Sequence, residues 1–161
     1  MTQRVSKALV VATIVWPLLI VTAAWPDGHG RLPAWSPIVY LAGAAVCHQR
    51  PERSFRTAGV QWPVCGRCSG LYLAAPLGAV AAASIAARRR RLPGRALTWL
   101  AVASVPTAVT FALEWLTAVP VTNVARAAAA LPLGAVVSFV VVATAAEPGK
   151  SGKSIGYTQR P

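Results

Sequence analysis

Residues able to carry chemistry are few in this 161-residue chain: three cysteines, two histidines and four acidic residues, against 16 lysines and arginines. That scarcity excludes several function classes. A covalent haem needs Cys-x-x-Cys-His, and Ser69 follows Cys68 where the histidine would stand. Ser54 has no His–Asp partnership beyond His48, which sets serine-hydrolase chemistry aside. The remaining chemistry is concentrated, because all three cysteines and His48 lie between Cys47 and Cys68. The other histidine, His29, falls in the turn-forming linker Pro26-Asp27-Gly28-His29-Gly30 and is expected to be solvated.

Hydrophobic residues make up 55% of the chain and come in blocks rather than at amphipathic spacing. Four uncharged stretches approach the roughly 20 residues that cross a hydrocarbon core. The expectation is an all-α polytopic bundle in the cell membrane, one domain over 1–146, with spans at about 8–25, 68–87, 96–116 and 124–146. A shorter apolar stretch, 35–47, suits a re-entrant or interfacial helix. Residues 47–68 are read as a cysteine loop. The first stretch has a rival reading as a cleaved signal peptide, given its basic start and Val21-Thr22-Ala23, but its apolar run exceeds the usual length. The tail 147–161 lacks periodicity and is rich in Gly, Ser and Lys, so it is read as disordered. The second and fourth spans both carry Pro-Leu-Gly-Ala, from Pro76 and from Pro132, with prolines placed to kink each helix.

The net charge of +12 is distributed by topology. Its densest run, Arg88 to Arg91 with Arg95, lies between two expected spans, as the positive-inside rule requires of a short cytoplasmic loop. That run suits anionic lipid headgroups of the bilayer, not nucleic acid. Arg4, Lys7, Lys150, Lys153 and Arg160 fall on the same side. Both termini are therefore expected in the cytoplasm and the cysteine loop outside. The sequence names no protein partner.

Two helix ends meeting on one membrane face would bring Cys47, His48, Cys65 and Cys68 together. Zinc, the default transition metal here, takes four thiolate or imidazole ligands, and Cys-x-x-Cys is its commonest half-site. Cys47 and His48 are adjacent, so both bind one metal only if the backbone leaves the helix there. Pro51, which disfavours α conformation at Arg50, makes that break plausible. Otherwise His48 orients a thiolate, and Glu52 or Glu114 becomes the candidate fourth ligand. The same atoms support a second chemistry, a redox-active Cys65/Cys68 pair at a helix N-terminus, with Arg67 lowering the thiol pKa and Cys47 as exchange partner. The plainest alternative is a structural disulfide with one spare thiol.

Glu114 and Arg126 stand near the ends of the third and fourth spans, where ionisable groups are costly unless paired. A Glu114–Arg126 pair capped by Asn123 is expected, either as an ion pair locking a hairpin or as a polar floor beneath the cysteines. Arg53 and Arg67 are further polar support. Arg50, Arg53, Arg56 and Arg67 also suit an interfacial belt of snorkelling side chains, or the binding of lipid phosphate or another anion.

Cys47-His48-Gln49-x-Pro51-x-Arg53-Ser54-Phe55, followed by Pro63-Val64-Cys65-x-Arg67-Cys68-x-Gly70-x-Tyr72, resembles the signature of an uncharacterised membrane protein family, domain of unknown function 2085. A second patch is similar to it as well: Pro106, then Thr122-Asn123-x-x-Arg126 and Gly134. Members carry an Asp-Gly pair shortly after that proline, where this chain has Thr110-Phe111. The resemblance implies family membership and a site at the cysteines. It implies no activity.

Overall fold

A computed structural model describes residues 2–87, 95–117 and 120–146. The basic run Arg88–Arg91 and the tail 147–161 lie outside the described residues. Among the described residues, four helices are long and apolar enough to cross a membrane: α1 (Thr2–Ala23), α3 (Gly66–Ala87), α4 (Ala96–Leu116) and α5 (Asn123–Ala146). The short α2 (Ser36–Val46) precedes a 3₁₀ turn, Pro51–Arg53. Between that turn and α3 the chain forms two antiparallel strands, β1 (Ser54–Thr57) and β2 (Val60–Cys65). The all-α membrane bundle is thus present, with a small hairpin where the sequence suggested only a loop.

The centre of the bundle is the α3–α5 pair, with α1 packed mainly on α3 and α4 on α5. The two central helices run parallel, since Gly66 lies against Asn123, Gly70 against Ala127 and Gly78 against Ala135. Helices in lipid gain nothing from burying leucine against leucine, so small residues that let backbones touch become the adhesive. A Cβ on Gly70 would sit 2.8 Å from the Ala127 Cα, closer than packed atoms tolerate. The Ser138 hydroxyl adds a cross-helix bond to the Ala75 carbonyl at 2.7 Å, and that of Thr107 ties α4 to the Ala129 carbonyl at 2.9 Å. Each spanning helix contains one proline, Pro17, Pro76, Pro106 or Pro132. Such interruptions persist in spans because neighbouring groups satisfy the freed carbonyls.

The hairpin is turned by Ala58 and Gly59, both at positive φ (48° and 82°). Positive φ at both central residues is what a two-residue turn needs to match strand twist. Register pairs Ser54 with Cys65, Arg56 with Gln61 and Thr57 with Val60, with a bulge between Ser54 and Arg56. At this end a cluster of Ile20, Ala23, Val39, Cys47 and Val64 joins α1, α2 and β2. The hairpin therefore sits on the mouth of the bundle, and the cysteines sit inside that junction.

Candidate functional site

Cys47 arrives from α2. The helix closes with the Cys47 N–H donating to the Gly43 carbonyl, after which Cys47 is extended (φ −145°, ψ 137°). Cys65 is the last residue of β2, and Cys68 lies in the first turn of α3. The three sulfurs lie within 4.8 Å of one another, and all three cysteines are free. The Cys65 N–H donates to the Cys47 sulfur, 3.2 Å away. The Cys65 thiol is lowered to about 5, chiefly by a hydrogen bond from Cys68, against the opposing effect of burial.

A polar clasp holds Cys47 onto β2. Gln49, at the left-handed φ of 48°, donates through Nε2 to the carbonyls of Tyr40 and Pro63, both at 2.7 Å. Gln61 Nε2 donates to the Gln49 carbonyl at 2.6 Å, and the Tyr40 hydroxyl donates to the Gln61 carbonyl. Gly43 lets α2 approach this closely, because a Cβ there would crowd Gln49 Nε2 at 2.9 Å and the Pro63 carbonyl. Pro63 has no N–H to offer, so its place in β2 wastes no donor. The sequence assigned no role to Tyr40, Gln61 or Gly43, and quoted Gln49 only within a motif. A glutamine two residues from both a cysteine and a proline was the available signal.

His48 is exposed and does not join the sulfur group. The backbone does leave the helix, but into an extended conformation, where adjacent side chains point to opposite sides. Cys47 faces in and His48 faces out for that reason. Glu52 is exposed on the 3₁₀ turn, and no carboxylate among the described residues joins the sulfur group. His29 is exposed in a turn where Asp27 Oδ1 accepts its backbone N–H at 2.8 Å.

Beside the sulfurs lies a charged knot. Glu114 Oε1 accepts from Arg126 Nε at 2.5 Å, and Oε2 lies 3.2 Å from Arg67 Nη2 and 3.9 Å from Arg53 Nη1. The Glu114, Arg126, Arg67 and Arg53 side chains are 6%, 11%, 16% and 34% exposed. Asn123 takes Arg126 Nη1 on its Oδ1 at 2.6 Å and donates Nδ2 to the Ser54 carbonyl at 3.0 Å. Ser54 pairs with Cys65 across the hairpin. The knot therefore contacts the site twice, through β1 and through Arg67 inside the Cys-x-x-Cys turn. The guanidinium of Arg67 also lies 5.2 Å over the Phe111 ring.

The profile of a family described as "Predicted membrane protein (DUF2085)" matches residues 47–140, more than half of the chain. An "Uncharacterized protein" of Methanothermobacter thermautotrophicus is 53% identical over 30 residues. That stretch takes in 19% of this chain and 27% of the relative, so the chain spans about a quarter of the relative it matches. No solved structure matches the chain.

Proposed function

We propose that this chain, which belongs to the DUF2085 family of membrane proteins, holds a transition-metal ion on the thiolates of Cys47, Cys65 and Cys68. One observation carries the reading: three separate elements converge on sulfurs within 4.8 Å of one another. A dithiol needs only two of them. Thiolates select zinc, copper(I) and iron–sulfur centres, and zinc is the default for a mononuclear site. Bound there, the ion would supply Lewis acidity at a position that the three sulfurs leave open. The fourth ligand is then a water or an exogenous group, since His48 and the carboxylates lie elsewhere. The Cys65 N–H orients the Cys47 sulfur, and Gln49 fixes the approach of its segment to β2.

Thiol–disulfide exchange is the second reading, favoured by the lowered Cys65 thiol at the N-terminus of α3. The Cys65 thiolate would attack a partner disulfide, expelling one partner sulfur as thiolate and forming a mixed disulfide. Attack by Cys68 or Cys47 on the Cys65 sulfur then releases the second partner thiol. The partner gains two electrons and this chain ends as a disulfide.

Anaerobic purification in detergent, metal analysis and thiol trapping separate the two. About one metal per chain, lost in Cys65→Ser and in Cys47→Ser, supports the metal site. A metal-free protein with a reducible Cys65–Cys68 disulfide overturns it and favours exchange. The proposal places the cysteine face outside the cell and the Arg88–Arg91 run at anionic headgroups inside. A membrane-impermeant maleimide that fails to label Cys65 in intact cells, yet labels it in inverted vesicles, would reverse that orientation.

A further inference from the structure

The charged knot does not balance. Three guanidiniums surround one carboxylate, leaving two positive charges among side chains that are mostly buried. No second carboxylate among the described residues makes an ion pair with them; Glu52, next to Arg53 in the 3₁₀ turn, and Asp27 are both exposed. The donors are also incompletely used. Arg67 Nε, Arg67 Nη2 and Glu114 Oε2 are all buried without a hydrogen-bond partner; Nη2 and Oε2 face each other at an ion-pair distance of 3.2 Å, which leaves Arg67 Nε as the donor with no counterpart. Buried guanidinium donors without acceptors are costly. The backbone adds to the excess in the same layer. Because α3 and α5 run parallel with Gly66 against Asn123, their two N-termini lie side by side, each carrying a partial positive charge. Arg53, the most exposed of the three and the one most loosely held, forms the approach from outside.

We infer that Arg53, Arg67 and Arg126 form a binding site for a doubly charged tetrahedral oxyanion: a phosphate group, either free or as a lipid phosphomonoester headgroup. Such an anion neutralises the two excess charges and supplies an acceptor to Arg67 Nε. Guanidinium forks match tetrahedral oxyanions in geometry as well as charge. Glu114 then acts as the divider that spaces the arginines, and Asn123 holds Arg126 in place. The inference does not depend on a metal at the cysteines.

The test uses the full chain in neutral detergent, melted by tryptophan fluorescence at constant ionic strength with phosphate, sulfate or chloride. Phosphate and sulfate should raise the midpoint saturably and chloride should not. Arg53→Gln and Arg67→Gln should each weaken that dissociation constant at least about tenfold, the loss of one charge-assisted hydrogen bond. Arg53→Gln is the surer variant, since its side chain is partly exposed and its loss is compatible with folding. In phosphatidylcholine vesicles, added phosphatidic acid that raises the midpoint and abolishes the phosphate effect identifies a lipid headgroup. A phosphate effect that persists identifies a free anion. The inference is overturned if neither the oxyanions nor phosphatidic acid stabilise beyond chloride or plain phosphatidylcholine. It is equally overturned if Arg53→Gln leaves the dissociation constant unchanged.

Discussion

Glu114→Gln isolates the charge at the centre of the knot from its shape. Glutamine keeps one oxygen, which can serve Arg126 Nε or face Arg67, but not both. The other position becomes an NH₂ group directed at a guanidinium. Removing one member of a buried ion pair costs about 3–5 kcal/mol, because the partner charge is left without compensation. Glu114, Arg126 and Arg67, at 6%, 11% and 16% exposed, lie in that regime. Arg53, at 34% exposed and 3.9 Å, adds little. At about 2–4 °C per kcal/mol for a chain of this size, the melting midpoint should fall by roughly 6–20 °C. The assay is tryptophan fluorescence in detergent against added denaturant or heat, at low phosphate. Glu114→Gln/Arg126→Gln should recover part of the loss, since deleting both partners strands fewer charges than deleting one. A fall of less than about 1 kcal/mol would class the knot with exposed salt bridges. The reasoning from buried charge would then be wrong.

Gly70→Leu should destabilise by about 1–3 kcal/mol through overpacking against Ala127, whereas Gly28→Ala, where a Cβ meets open space, should stay within about 0.5 kcal/mol. The same unfolding titration checks both, and equal effects would refute the parallel α3–α5 contact. The Cys65 thiol, lowered to about 5, keeps its thiolate above that pH and loses it as pH falls through it. Iodoacetamide should therefore label metal-free protein at Cys65 with a rate that declines only near pH 5; a rate climbing through pH 8 to 9 would contradict this. Gln49→Ala removes both bonds that seat the segment after Cys47, so metal affinity in a chelator competition should drop about 10–100-fold. An affinity unchanged within about twofold would show that the clasp is irrelevant to the sulfurs.

The spans were legible because a bilayer demands long uncharged blocks, and alanine, valine and leucine supply them with little ambiguity. Glu114 and Arg126 stood out for the same reason, as charges at the edges of such blocks. The hairpin did not. Its strands are only four and six residues long, and Pro63 inside β2 argues against a strand. Its turn is Ala58-Gly59, with alanine at φ 48°, instead of the Asn-Gly that usually marks such a turn. The direction of His48 was hidden as well, because it depends on whether Cys47 is helical or extended. Arg67 has two sequence readings, a charge acting on the flanking thiols and polar support alongside Glu114, and its guanidinium goes to Glu114 and Phe111. Sequence spacing pairs Glu114 with Arg126 and caps the pair with Asn123, as the structure has them, but gives Arg53 and Arg67 no specific partner.

That hidden hairpin is what determines whether a three-sulfur group exists at all. Alternate residues of a strand face opposite sides, so a one-residue slip of β2 would turn the Cys65 side chain away from Cys47 and Cys68. The helices offer little resistance to such a slip, being lined with small, interchangeable side chains. Resistance comes from polar side chains that each capture a particular backbone carbonyl: Tyr40 takes that of Gln61, Gln49 takes that of Pro63, and Asn123 takes that of Ser54. A slipped register would present each of them with the wrong group, in surroundings where an unmatched donor is costly. Tyr40, Gln49 and Asn123 therefore act on the site through register, and Asn123 also connects that register to the arginines around Glu114. Loss of Asn123 should consequently disturb the sulfurs and the charged knot together, although it touches no sulfur.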